Sequence, residues 1–169
     1  TNPMYAPDAQ TVAFQSDRNG SYDLFTIDQQ TREETQLTSD PADDVNAFYS
    51  PDIKKLVFQS NRSGSWNAYI LNVSTGAEYQ VTNFTEDVLF PSWSPNGKNL
   101  AFLVNLGGAW DLYVSDLSGT SVQQISRGNG NAGRHPQKAG AGHVHAGERR
   151  RERTQRSHQQ ECREAEPAV

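Results

Sequence analysis

The chain is poor in the residues that most often carry chemistry or cross membranes. It has a single cysteine, Cys162, which excludes an internal disulfide and a multi-cysteine metal site. Its apolar runs are only a few residues long, so these residues contain no membrane span and no signal-peptide core. Positive charge is scarce: 15 Lys and Arg stand against 20 Asp and Glu, for a net charge of −5, which argues against a broadly basic nucleic-acid binder. All four histidines (His135, His143, His145, His158) lie beyond residue 127, so the first three-quarters of the chain lacks the usual general base for a Ser or Cys nucleophile. The Gly-x-Ser-x-Gly string of a nucleophile elbow is absent throughout.

What is present is a repeat. Pro7-Asp8 recurs as Pro51-Asp52 and as Pro95-Asn96, 44 residues apart each time. Phe14, Phe58 and Phe102 share that spacing, as do Gly20, Gly64 and Gly108. So do Tyr22, Trp66 and Trp110; Phe25, Tyr69 and Tyr113; Asp28, Asn72 and Asp116; Gln36, Gln80 and Gln124; and Leu37, Val81 and Ile125. Self-similarity at a fixed period of this length marks stacked supersecondary units.

Each copy is expected to hold four short strands separated by turns, read in the second copy as Leu56–Ser60, Trp66–Leu71, Glu78–Thr82 and Leu89–Ser94. Arg62-Ser63-Gly64-Ser65 and Ser74-Thr75-Gly76 supply turn residues between them. Helical periodicity with caps is missing. Val12-Ala13-Phe14, Ala68–Leu71 and Leu100–Leu103 are apolar on successive residues, as expected of strands covered on both faces. The fold class is therefore all-β: a partial β-propeller of about three four-stranded blades, with approximate repeats 5–48, 49–92 and 93–127.

The strings Tyr49-Ser50-Pro51-Asp52, Leu56 to Gly64, Tyr69 to Asn72 and Gln80-Val81-Thr82 resemble the Pro-Asp-type (TolB-like, WD-type) propeller repeat. Ser16 to Leu24 and Trp93 to Lys98 are its most specific stretches, and the resemblance covers roughly residues 3–127. The same repeat occurs in propeller domains of tricorn-type and prolyl-oligopeptidase-type peptidases. The third copy departs from it, with Val104-Asn105-Leu106 where Ser-Asp-Arg is expected. The resemblance implies a bacterial, periplasmic or otherwise extracytoplasmic setting and a role in binding protein. Its alternatives are the substrate-gating propeller of a serine peptidase whose catalytic domain is absent here, and a propeller module of a carbohydrate-active enzyme.

Composition changes abruptly after Arg127. Residues 1–127 carry seven basic and fifteen acidic residues; residues 128–169 carry eight basic and five acidic. The second stretch has no aromatic residue and no large aliphatic one except Val144 and Val169, too little apolar surface to offset chain entropy, so it is expected to be a disordered basic tail. A fourth copy would place Trp-Ser-Pro at 137–139, where the chain has Gln137, Lys138 and Ala139. This is expected of a repeat interrupted by a shifted reading frame or a mis-assigned gene end, the alternative being a natural basic tail. Three blades cannot close a ring, and uncovered faces predict self-association.

Other motifs weigh little. Gly128 to Gly133 fits Gly-x-Gly-x-x-Gly but no helix follows it. His143-Val144-His145 lacks a framework to hold a metal, and Arg149 to Arg156 lacks aromatics for base stacking. Asp17-Arg18 and Asn61-Arg62 recur with the fold and are expected to pin turns rather than bind ligand. Asp43-Asp44 and Glu33-Glu34 read as solvated loop charge. The expectation is a non-enzymatic scaffold with no catalytic, cofactor or metal residues and a protein partner. Its residues of note are the repeat signature itself.

Overall fold

The computed structural model describes residues 1–126, so the expectations for the stretch after Arg127 lie outside the described residues. The described residues form twelve strands: β1 (Met4–Tyr5), β2 (Thr11–Ser16), β3 (Asp23–Asp28), β4 (Glu34–Gln36), β5 (Asp44–Tyr49), β6 (Lys55–Ser60), β7 (Asn67–Asn72), β8 (Glu78–Gln80), β9 (Val88–Trp93), β10 (Asn99–Leu106), β11 (Ala109–Asp116) and β12 (Val122–Gln124). They make three four-stranded antiparallel sheets in simple up-and-down order, β1 to β4, β5 to β8 and β9 to β12, and no helix occurs among the described residues. This is three blades of a β-propeller.

The repeat columns become rows across each sheet. Phe14 pairs with Phe25, Phe58 with Tyr69 and Phe102 with Tyr113, and the second member of each pair faces Gln36, Gln80 or Gln124. The ring centroids of the three pairs lie 5.6, 5.8 and 6.1 Å apart. Cross-strand aromatic pairs of this kind add to area burial in fixing register.

The sequence copies and the sheets are out of phase. Val88–Trp93 falls at the end of the second copy, yet as β9 it hydrogen-bonds to β10 of the third. The physical reason is the Pro-Asp turn, which joins the strand before it to the strand after it as a hairpin.

Burial of both strand faces runs through β6 and β7 of the middle blade and through the first four residues of β3 in the first. Leu56, Phe58, Tyr69 and Leu71 pack with Ala13, Leu24 and Tyr49 in a core against the first blade. Val57, Ala68 and Ile70 pack with Leu100, Phe102 and Val104 against the third. In β2 and β10 buried and half-buried residues alternate, because only one face of each outer sheet meets another sheet here.

Glutamines stitch neighbouring blades together. The second and third blades each open with a bulged residue at positive φ: Asn46 (φ 54°) in β5 and Phe90 (φ 54°) in β9. Gln15 Oε1 of the first blade accepts the Asn46 amide at 2.9 Å, and the buried Gln59 of the second accepts the Phe90 amide at 3.3 Å. A bulge frees a backbone N–H from the ladder, and burial makes a partner for it necessary.

Candidate functional site

The signature residues are all at turns or in cross-strand rows, where each has a structural task. The Pro-Asp segments are β-turns closed by the amides of Ala9, Ile53 and Gly97 onto the carbonyls of Ala6, Ser50 and Ser94, all at 2.9 Å. Proline fits the second turn position because its ring presets φ. The carboxylate of Asp8 accepts the amide of Gln10 at 2.9 Å, that of Asp52 accepts the amide of Lys54 at 3.2 Å, and the side-chain oxygen of Asn96 accepts the amide of Lys98 at 3.0 Å. Pro7, Pro51 and Pro95, like Phe14, Phe58 and Phe102, thus serve the fold. Gly20, Gly64 and Gly108 sit at φ 112°, 98° and 87°, a region that side chains avoid.

The arginines of the β2–β3 and β6–β7 turns fold back over the aromatic rows. Arg18 lies 4.4 Å from the Phe25 ring centroid and donates to Glu34 at 2.7 Å. Arg62 lies 4.8 Å from the Tyr69 centroid and donates to Glu78 at 2.6 Å and to Asp44 at 2.7 and 2.9 Å. The turns are pinned as the sequence predicts. Asp43 and Asp44 are not solvated loop charge. Asp43 accepts the Tyr22 amide at 2.9 Å, while Asp44 is fully buried under Arg62. That pairing offsets the cost of taking the carboxylate out of water, a long-range contact that local composition does not reveal. In the third blade Val88, Val104, Leu106 and Val122 stand where Asp44, Ser60, Arg62 and Glu78 stand in the second, so the whole polar cluster is replaced together by apolar side chains.

A cleft of about 480 Å³ opens between the first two sheets, at the end where the Pro-Asp turns lie. Asp8, Asp28 and Glu33 bring carboxylates to it, Thr26 and Tyr49 bring hydroxyls, and no lysine or arginine lines it. Turn amides from Thr31 and Gln30 hold the Asp28 carboxyl below the usual carboxylate range. Burial, with Asp8 nearby, pushes the Tyr49 phenol up to about 12. Sequence reasoning passed over this cleft because its residues are scattered over two copies. The one signal was the loss of the apolar pattern at Thr26 and Thr35, where the second copy has Ile70 and Tyr79. Among the described residues no three acidic, histidine or cysteine side chains could hold a metal ion together.

Residues 1–77 match the family described as TolB beta propeller domain, and residues 50–139 match the family described as Dipeptidyl peptidase IV (DPP IV) N-terminal region. The chain is a TolB-like β-propeller fragment and, by the match over residues 50–139, belongs to the dipeptidyl peptidase IV N-terminal family. Among solved structures, putative TolB from Agrobacterium tumefaciens is 22% identical with a TM-score of 0.64, over 71% of this chain and 46% of that one. TolB from Acinetobacter baumannii is 26% identical with a TM-score of 0.65, over 73% of this chain and 31% of that one. The tricorn protease is 16% identical with a TM-score of 0.59, over 72% of this chain and 12% of that one. The chain thus spans less than half the length of the TolB structures it matches. No curated protein sequence matches it. The TolB-like blades here carry their signature in turns and aromatic rows, and the match to the second family runs past Arg127.

Proposed function

We propose that the chain is a non-catalytic propeller scaffold that presents rigid turns to a protein partner in a bacterial, extracytoplasmic setting. The observation that carries this reading is the way its rim is held. Arg18 and Arg62 tie the β2–β3 and β6–β7 turns to the sheets beneath, leaving Asn19-Gly20 and Ser63-Gly64 exposed at the tips. A turn fixed in advance loses little entropy on binding, which favours recognition by shape. The match of residues 1–77 to the TolB propeller model and the likeness to two TolB structures support the same reading. Among the described residues no helix is long and apolar enough to cross a membrane.

A second reading is favoured by the match of residues 50–139 to the dipeptidyl peptidase family: the blades would gate substrate to a catalytic domain on the same polypeptide. Sequencing the DNA on both sides of this reading frame separates the two. An α/β domain behind a leader on the amino-terminal side supports the scaffold; an α/β-hydrolase domain with a nucleophile elbow on the carboxyl-terminal side supports the peptidase. In either case the purified chain is expected to hydrolyse no peptide or ester. Turnover that survives repurification and tracks this protein would overturn the non-catalytic reading.

A further inference from the structure

The cleft between the first two blades has features that structural tasks leave unexplained. Thr26 and Tyr49 are only 8% and 6% exposed, yet among the described residues no group hydrogen-bonds either hydroxyl. Their hydroxyl oxygens are not sealed in the core: they open to the cleft, where a ligand's donors can reach them. The Glu33 carboxylate makes no hydrogen bond or ion pair among the described residues either. Asp8 and Asp28 each direct one oxygen to turn amides and add negative charge at the same mouth. Leu37, Ile53 and Val73 supply an apolar wall.

The same position between the second and third blades is built differently. Ile70 replaces Thr26 and is fully buried in the core, and Ala77 replaces Glu33. Trp93 replaces Tyr49 and donates its indole N–H to the Phe48 carbonyl at 2.9 Å. The repeat thus provides, within one chain, a version of the position in which an apolar side chain and a partnered indole stand where the first has two unpartnered hydroxyls. Most lining positions differ between the two, and in the first version Thr26 and Glu33 add hydrogen-bonding capacity or negative charge, Asp28 stands where the second blade has Asn72, and Thr11 stands where it has Lys55.

We propose that this cleft receives an alkylammonium or alkylguanidinium group, the chemistry of a lysine or arginine side chain or of a free polyamine. The N–H donors of such a group meet the Thr26 and Tyr49 oxygens and the carboxylates at the mouth, and its methylene stem lies along Leu37, Ile53 and Val73. The carboxylates do not converge closely enough for a metal ion, whereas a cation carrying several donors on a stem matches their spread. The inference does not depend on the scaffold reading, since a gating propeller would hold the same cleft.

The test is titration of the full chain at low salt with N-acetyl-lysine-methylamide, N-acetyl-arginine-methylamide, putrescine and, as the uncharged control, N-acetyl-norleucine-methylamide, followed by calorimetry and by NMR shifts. Saturable binding of the cations and not of norleucine is expected, with shifts at Thr26, Glu33 and Tyr49 and weakening as salt rises. Tighter binding of the blocked amino acids assigns the source to a protein side chain; tighter binding of putrescine assigns it to a free amine. Glu33→Ala and Tyr49→Phe are each expected to weaken binding several-fold with an unchanged denaturation midpoint. Thr26→Ile, which copies the second blade, is expected to weaken it at least tenfold. Absence of saturable binding at millimolar ligand, or binding that all three variants leave unchanged, overturns the proposal.

Discussion

Arg62 holds the fully buried carboxylate of Asp44 with a single nitrogen, Nη2 standing 2.7 and 2.9 Å from the two oxygens. The guanidinium also caps the Phe58–Tyr69 row and reaches Glu78, so one side chain joins a turn, two blade edges and an aromatic pair. Arg62→Ala is expected to cost about 3 kcal/mol, because it leaves Asp44 buried and uncompensated. The third blade shows that the cluster can be dispensed with as a unit. Replacing Asp44, Ser60 and Glu78 by Val and Arg62 by Leu, as at Val88, Val104, Val122 and Leu106, is expected to cost less than Arg62→Ala alone. Urea denaturation of the single and quadruple variants checks this, and losses that simply add would refute the coupling.

Phe58 is fully buried between the first two blades. Phe58→Ala is expected to lower stability by about 3–5 kcal/mol, the range for an aromatic removed from a packed core. Phe14 occupies the same column but is only half-buried, covered by Arg18 at 5.6 Å from its ring rather than by another sheet, so Phe14→Ala is expected to cost clearly less. Equal shifts in denaturation midpoint would contradict the difference in burial.

These two residues also show what the sequence could reveal. The Phe column showed in advance that the three central hairpins are equivalent, since residues that recur every 44 positions must occupy equivalent places, while the facing residue in each came only from the strand pairing. The turn arginines were legible for the same reason. The phase of the blades was not, because a repeat has no intrinsic starting point and only strand pairing decides which blade Val88–Trp93 joins. Asp44 and the cleft were hidden for a different reason. Their character depends on residues brought together from separate copies: Asp44 with Arg62 and Glu78, and Thr26 with Tyr49.

The turn after β11 makes a matched comparison possible. Gly119 and Gly76 have nearly the same backbone, φ +69° and +70°. A Cβ on Gly76 meets nothing within 4 Å, whereas one on Gly119 would clash with the Val81 carbonyl oxygen of the neighbouring blade. Gly76→Ala is expected to cost about 1–2 kcal/mol from left-handed strain alone. Gly119→Ala adds a clash with backbone that cannot rotate away, so its cost is expected to be larger. Thermal midpoints of the two variants measure the difference. Equal midpoints would mean that the Asp116–Ser121 turn lifts off Val81 freely.

Asp23 is 2% exposed at the start of β3, and one of its oxygens is buried without a hydrogen bond. Burial raises its pKa above the ordinary 3.8, with Asp44 and Asp40 pushing the same way against hydrogen bonds from Asn19 and Gln36. A carboxyl whose folded pKa is raised contributes stability in full below the unfolded value, and that contribution is lost as pH rises through the folded pKa. At neutral pH Asp23 is therefore ionised at a cost. The second blade places Asn67 in this column, with its oxygen accepting the Phe84 amide at 3.0 Å and the Thr82 hydroxyl at 2.9 Å. Asp23→Asn is accordingly expected to raise the denaturation midpoint at pH 7, with the gain shrinking as pH falls toward 3. Asp28 and Asp116 are expected to behave oppositely. Hydrogen bonds, from turn amides at Asp28 and first from Thr120 at Asp116, lower their pKa values, so their contribution is present above the unfolded value and lost as pH falls through the folded one. Asp28→Asn should therefore differ from the parent mainly near neutral pH, and in the destabilising direction. Denaturation midpoints of both variants between pH 3 and 8 test the signs, and a loss of stability at pH 7 in Asp23→Asn would show that its carboxylate is a net stabilising group after all.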